Sequence, residues 1–280
     1  MHAHCPLAIW VKRAYFKRML ILLSPAKNLN YEPVAPKLPA TKPRLEADIA
    51  ALAKVTAKLK RSDIAKLMHL SDNLAELNYQ RFQAFDPALN GPDVLQAALA
   101  FNGDVYQGLQ ARDLSAEDLN WAQDHVRILS GLYGLLRPLD VIAPYRLEMG
   151  TRLKTKRGES LYDFWGDRLS KAINADLAGQ SAPIVMNLAS TEYFSAVSKK
   201  ALKARVITAN FKEIKDGEAR VLSFYAKRAR GAMARFCIEN RITDPEGIKA
   251  FDVDGYRFDA ASSKPETWVF SRPQPPGKMG

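Results

Sequence analysis

The chain has 280 residues and a formal net charge of +11; 47% of its residues are hydrophobic and 25% are charged. That balance belongs to a core-forming globular protein and excludes wholesale disorder, and no apolar run approaches the roughly 20 residues that a membrane helix needs. Two cysteines and four histidines exclude a disulfide scaffold and argue against a His-rich metal centre, so a cytoplasmic protein with no cofactor, no metal and no membrane partner is expected.

Residues 1–18 hold four basic residues and no acidic one, and the charges follow the weakly apolar stretch instead of preceding it as in a secretory signal. The sequence predicts a disordered extension over 1–18, one domain over 19–272 and a disordered tail over 273–280. Met19–Leu23, MLILL, reads as a strand that ends before Pro25. Pro33, Pro36, Pro39 and Pro43 then preclude a helix and predict an extended surface connection. From Leu45 to about Leu99 helical spacing dominates, as in Ile49, Leu52, Ala53 and Thr56, with Ser71 as a candidate N-cap. Ser115 and Asp118 have capping-box spacing ahead of a helix carrying Trp121, Val126 and Leu129.

A helix ending near Ser130, a turn bracketed by Gly131 and Gly134, and a short second helix before Pro138 would form a helix-hairpin-helix-like element. Glycines in such a turn let backbone N–H groups approach a phosphate. A plain tight helix–helix connection fits the same residues. Strand signals return at Ile184–Leu188, Arg205–Phe211 and Arg220–Phe224, with Asp216-Gly217 as a hairpin turn, and at Trp268–Phe270. The elements together predict a single mixed α/β domain, α+β in its mixing, and not a doubly wound sheet.

The positive charge is concentrated: +5 over residues 127–157 and +8 over 196–241. At 100° per residue, the helix from Tyr225 to Arg241 places Tyr225, Ala226, Ala229, Ala232, Met233, Phe236 and Cys237 on one arc. Lys227, Arg228, Arg230, Arg235 and Arg241 fall on the opposite arc, where Glu239 is the sole acidic neighbour on the helix. A solvated face explains such a pattern, and so does a polyanion-binding face. The small-residue apolar arc lacks the bulky ridge of a membrane-surface helix. Around the Gly131–Gly134 turn, Arg127, Arg137, Arg146 and Arg152 add clustered guanidinium groups suited to phosphate. Lys27, Gly131, Tyr133, Gly134, Arg137, Arg146, Arg152, Lys227, Arg228, Arg230 and Arg235 are therefore the candidate DNA contacts.

No phosphate loop, dinucleotide fingerprint, zincin or C-x-x-C motif occurs. Ser24-Pro-Ala-Lys27 matches S-x-x-K, the nucleophile motif of serine β-lactamases, yet the S-D-N and K-T-G partners are missing. A capped strand end explains Ser24 as well. Alternatively, Lys27 contacts an anion at the C-terminal edge of a sheet, where α/β folds place ligands. Asp104, Tyr106 and Glu148 would join Ser24 and Lys27 in a polar pocket, and an enzyme acting there on a small anionic metabolite is the rival to DNA binding.

Six segments carry a resemblance: MLILLSPAKNLNY, LAFNGDVYQGL, RILSGLYGLLRPLDVIAPYRLEMG, YDFWGD, NLASTEYF and SFYAKRARGAMARFCIENRI. From Met19 to about Phe270 the chain resembles the YaaA family of bacterial peroxide-stress proteins. The resemblance implies a cytosolic protein that limits hydrogen peroxide damage and is associated with control of free iron. It also implies DNA binding on a family-specific α/β fold, with a helix-hairpin-helix-like element and a positively charged cleft.

Overall fold

The structure, a computed structural model, describes residues 19–34 and 39–275. The expected extension over 1–18, part of the proline-rich connection and residues 276–280 lie outside the described residues.

In chain order the elements are β1 (Met19–Leu23), α1 (Glu46–Thr56), α2 (Arg61–Met68), α3 (Asp72–Gln83), β2 (Leu95–Gln96), α4 (Ala97–Ala100), α5 (Asp104–Leu109), α6 (Ala116–His125), β3 (Val126–Ser130), β4 (Gly134–Leu136) and β5 (Val141–Ile142). They continue with α7 (Leu161–Trp165), α8 (Arg168–Asp176), β6 (Ile184–Asn187), α9 (Thr191–Phe194), β7 (Arg205–Lys215), β8 (Glu218–Arg220), α10 (Ser223–Glu239), β9 (Arg257–Lys264) and β10 (Thr267–Pro273). The central sheet runs β4-β3-β1-β6-β7-β10-β9, with β8 paired to β7, and β2 with β5 forms a separate two-stranded ribbon. β3, β1, β6, β7 and β10 are mutually parallel, whereas β4, β8 and β9 pair antiparallel. The result is a mixed α/β domain around a mostly parallel sheet.

The sequence pattern explains the strand positions. β1 is buried at every residue, as a central strand flanked by parallel neighbours must be, so it reads as a continuous apolar run without alternation. β7 instead alternates between buried and partly exposed residues, which marks one covered face. The β7–β8 turn has Asp216 at φ 52° and Gly217 at φ 79°, both in the left-handed region that a two-residue hairpin turn requires.

Two capping boxes fix helix starts. Ser115 Oγ accepts from Asp118 N at 3.1 Å while Ser115 N donates to Asp118 Oδ2 at 3.2 Å, as the spacing predicts. Ser160 and Asp163 do the same for α7.

A buried ionic knot holds the C-terminal strands to α10. Glu213 on β7 and Arg272 on β10 are both buried. The Arg272 guanidinium lies between the Tyr256 and Tyr225 rings, 4.4 and 5.0 Å from their centroids. Tyr256 Oη donates to Glu213, and Leu222 N, just before α10, donates to the other carboxylate oxygen at 3.4 Å.

Several expectations change. The helix after Ser115 stops at His125, and Val126 and Leu129 belong to strand β3, packed beside β1. A short buried apolar run has no period that distinguishes strand from helix. The turn from Gly131 to Gly134 therefore joins two antiparallel strands, with Ser130 opposite Gly134, so the expected helix-hairpin-helix-like element is a β-hairpin here. The second hairpin arm is only Glu218–Arg220, and α10 starts at Ser223. Residues 84–94 are not helical. β10 runs on to Pro273, and Gln274 N donates to Ile214 O at 2.9 Å, so pairing continues into the expected tail.

Candidate functional site: a cleft beyond the β1 and β6 strand ends

The chain leaves β1 toward β3 on one side of the sheet and returns to β6 on the other. The strand order thus reverses between β1 and β6, and a crevice at such a reversal, outside the C-terminal strand ends, is where open α/β sheets bind ligands. A cleft of about 410 Å³ lies there, lined by Ser24 to Asn28 after β1, Gly103 to Val105 at the start of α5, Ser190, Glu192 and Tyr193 after β6, and Lys227 and Arg230 of α10.

Its floor is built by hydrogen bonds between the two strand ends. Ser190 N donates to Ser24 Oγ at 2.8 Å, Ser24 Oγ donates to Ser190 Oγ at 3.3 Å, and Tyr106 Oη donates to Ser24 O at 3.1 Å. Burial keeps the Tyr106 phenol protonated far above its ordinary range, reinforced by Tyr145 and Tyr193. Tyr106 is thus a fixed donor in the floor. Ser24 is buried and shares its hydroxyl with Ser190, while Lys27 Nζ pairs with Glu148 Oε2 at 2.8 Å. The S-x-x-K spacing therefore supplies no lysine hydrogen-bonded to the serine.

The cations come from distant stretches of chain. Lys27 shares Glu148 with Arg146, whose Nη2 lies 3.0 Å from Oε1, so one carboxylate faces two positive groups. Lys227 Nζ sits 3.6 Å from Asp104 Oδ2, with both side chains partly in water. Arg230 differs from these. Its Nε is buried without a hydrogen-bond partner among the described residues, and burial, with no carboxylate to counter it, lowers its pKa. A guanidinium so placed gains from an anionic ligand more than a solvated one does. Glu192 is the opposing charge on the far wall, its Oε1 accepting from Gly150 N at 2.9 Å.

The α10 cations reach the cleft because α10 crosses α5 at glycine contacts. A Cβ on Gly231 would lie 1.7 Å from Val105 O, and one on Gly108 would lie 2.0 Å from Arg228 O. Only hydrogen at both positions allows that approach.

The other predicted contacts are dispersed. Tyr133 is fully buried, a Cβ on Gly131 would lie 2.2 Å from Leu147 O, and Trp165 Nε1 donates to Gly131 O at 3.0 Å. The Gly131–Gly134 turn is an interior packing device and does not open onto the cleft. Arg137 is bound to Asp140 at 2.8 Å, and Arg228 leans toward Asp254 at 3.8 Å. Arg235 pairs with Glu239 at 2.8 Å and donates to Gln110 O at 3.0 Å, tying α10 to the end of α5. Arg152 is exposed. Of the expected residues, Ser24, Lys27, Asp104, Tyr106, Lys227 and Arg230 come together, with Glu148 and Arg146 adjoining through Lys27. Ser190, Glu192 and Tyr193 were missed, although Ser190 caps α9 three residues after β6 ends at Asn187, and a serine closely following an apolar strand run is visible in the sequence.

Among the described residues, no helix is long and apolar enough to cross a membrane. The family described as peroxide stress protein YaaA matches residues 19–262. A UPF0246 protein of Caulobacter vibrioides is 58% identical over 257 residues, covering 92% of this chain and 100% of the relative. UPF0246 proteins of Maricaulis maris and Albidiferax ferrireducens are 58% and 52% identical, each over 92% of this chain and over 97% and 99% of their own lengths.

Proposed function

The chain belongs to the family of peroxide stress protein YaaA, and from that premise we propose that it acts in the cytoplasm by binding DNA, mainly through phosphate contacts, and so helps limit oxidative, iron-linked damage. One observation carries the binding step: Lys27 and Arg230, 203 positions apart in the sequence, line the same cleft, and Arg230, partly buried with its Nε fully so, makes no ion pair among the described residues. Lys227 and Arg146 extend the positive surface on either side. Phosphate contacts of this kind give affinity with little sequence choice and release counterions.

A second reading has its own support. Asp104, Glu148 and Glu192 stand among the cations, and a concave, charge-balanced crevice at a strand-order reversal also suits a small anionic metabolite.

Fluorescence anisotropy of a labelled duplex, titrated across a range of salt, separates the two. With three or four phosphates engaged, log K falls with log salt at a slope of about −3 to −4. Changing Lys27 and Arg230 together to Gln reduces that slope by roughly 2 and weakens all sequences alike. A flat slope, or unchanged affinity in the double variant, overturns the DNA reading. Saturable binding of a mononucleotide without duplex binding establishes the second.

A further inference from the structure

A larger cavity, of about 670 Å³, lies away from the cleft, between the segment after β1, the C-terminal half of α3 and the loop that follows it. Its walls are apolar: Leu29, Leu77, Ala84, Phe85, Val94 and Pro144. Leu77 is 40% exposed at its edge, so the interior is reachable from solvent.

The polar groups of the lining are mostly committed elsewhere. Tyr31 Oη donates to Ile142 O at 2.9 Å, and Gln80 Nε2 donates to Glu76 Oε1 at 2.9 Å. Asp86 accepts from Ala88 N at 2.9 Å and Asn90 N at 3.3 Å within its own loop. Apart from Asp93, which is exposed to solvent, Arg81 is the exception. It is half-buried, it is the one cation of the lining, and it makes no ion pair among the described residues. Desolvation lowers its pKa, with only the Tyr31 phenol acting in the other direction.

We propose that this cavity is a binding site for a small organic monocarboxylate with an apolar body, its carboxylate held by the Arg81 fork and its hydrocarbon or aromatic part against Leu77, Phe85 and Val94. The volume falls within the range of small-molecule sites, which pair apolar walls with a few placed polar groups. An unpaired guanidinium in such a setting favours a planar anion that it can grip with two parallel hydrogen bonds. A phosphate dianion is disfavoured, because Asp86 and Asp93 line the same cavity and no second cation is there to offset them. A neutral apolar ligand would leave Arg81 desolvated and still unpaired.

Phenylbutyrate and its uncharged counterpart phenylbutanol, titrated by calorimetry and by methyl NMR of the full chain, test the assignment. The acid is expected to bind saturably at millimolar concentrations and to shift the methyls of Leu77, Ala84, Val94 and Ala143, with the alcohol roughly ten- to a hundredfold weaker. Arg81→Gln should bring the acid down to the affinity of the alcohol without altering thermal unfolding. Leu77→Glu, at the exposed edge, should exclude the acid by charge and gives an independent reading should Arg81→Gln prove poorly folded. Equal affinity for acid and alcohol, no saturation, or shifts confined to the Lys27 cleft each overturn the proposal. Failure of duplex binding leaves it untouched, since none of the DNA contacts lines this cavity.

Discussion

Gly231→Ala in α10 sets two effects of opposite sign against each other. On helix propensity alone, alanine for glycine in a helix interior stabilises by about 1 kcal/mol. The α5–α10 crossing reverses that sign. The new methyl carbon would lie 1.7 Å from Val105 O and 2.7 Å from Leu109 N, whereas close carbon–oxygen contacts need about 3.3 Å. The helices must therefore separate by roughly 1.6 Å, a gap that forfeits much of the dispersion attraction along the whole crossing. Overpacking of this kind costs about 1–3 kcal/mol, and the clash is with backbone, which cannot rotate away. A rigid backbone partner puts the cost in the upper part of that range, about 2–3 kcal/mol, and subtracting the propensity gain of about 1 kcal/mol leaves a net loss of about 1–2 kcal/mol in urea unfolding. Because Lys227 and Arg230 lie four residues and one residue from Gly231 on α10, the duplex affinity of the cleft should fall as well. A variant as stable as the parent, or more so, would refute the close-approach argument, since only the propensity term would then be acting.

Two further outcomes follow from buried ionisable groups. Burial pushes the Asp176 carboxyl up, but hydrogen bonds from Arg44 and Arg127 and their charges more than offset this and hold it at about 2, against 3.8 unperturbed. Its contribution of about 2 kcal/mol is thus fully present above pH 3.8 and is lost as pH falls through about 2. Measured by urea unfolding, the stability gap between the parent and Asp176→Asn should narrow steadily below pH 4, and a gap independent of pH would count against the pairing. Cys237 is fully buried, and burial raises its thiol to about 12, so in the folded chain it should resist both iodoacetamide and peroxide and react only after denaturation; stoichiometric labelling of Cys237 under native conditions would show the thiol to be accessible.

The fold was legible where one physical signal dominated. MLILL, an apolar run that stops just before Pro25, reads as a strand and is one, and Asp216-Gly217 reads as a hairpin turn and is one. Ser115 with Asp118 declared a helix start in three letters. Legibility failed where the deciding term was long-range. Val126–Ser130 became a strand because it lies beside β1, a neighbour about 100 residues earlier; nothing within the run itself selects strand over helix. The same contact turned Gly131 and Gly134 from a presumed phosphate-facing turn into a packing joint under Trp165 and Leu147.

The cationic helix shows why charge counting alone misleads about a site. The five basic residues that look equivalent on a helical wheel are given different work by the fold, and Arg241 lies past the end of α10 at Glu239, outside the helix expected to include it. Arg235 and Arg241 are tied to Glu239 and to Asp118, Arg228 leans away toward Asp254, and Lys227 is half-neutralised by Asp104. Of these, Arg230 alone enters the cleft with no ion pair among the described residues. The charge available to a ligand is what remains after the fold's own carboxylates have been served, and that remainder is set by tertiary distances, not by sequence composition. For the same reason the larger apolar cavity left no trace in the sequence: Arg81 is one arginine among many until the structure shows that it makes no ion pair among the described residues.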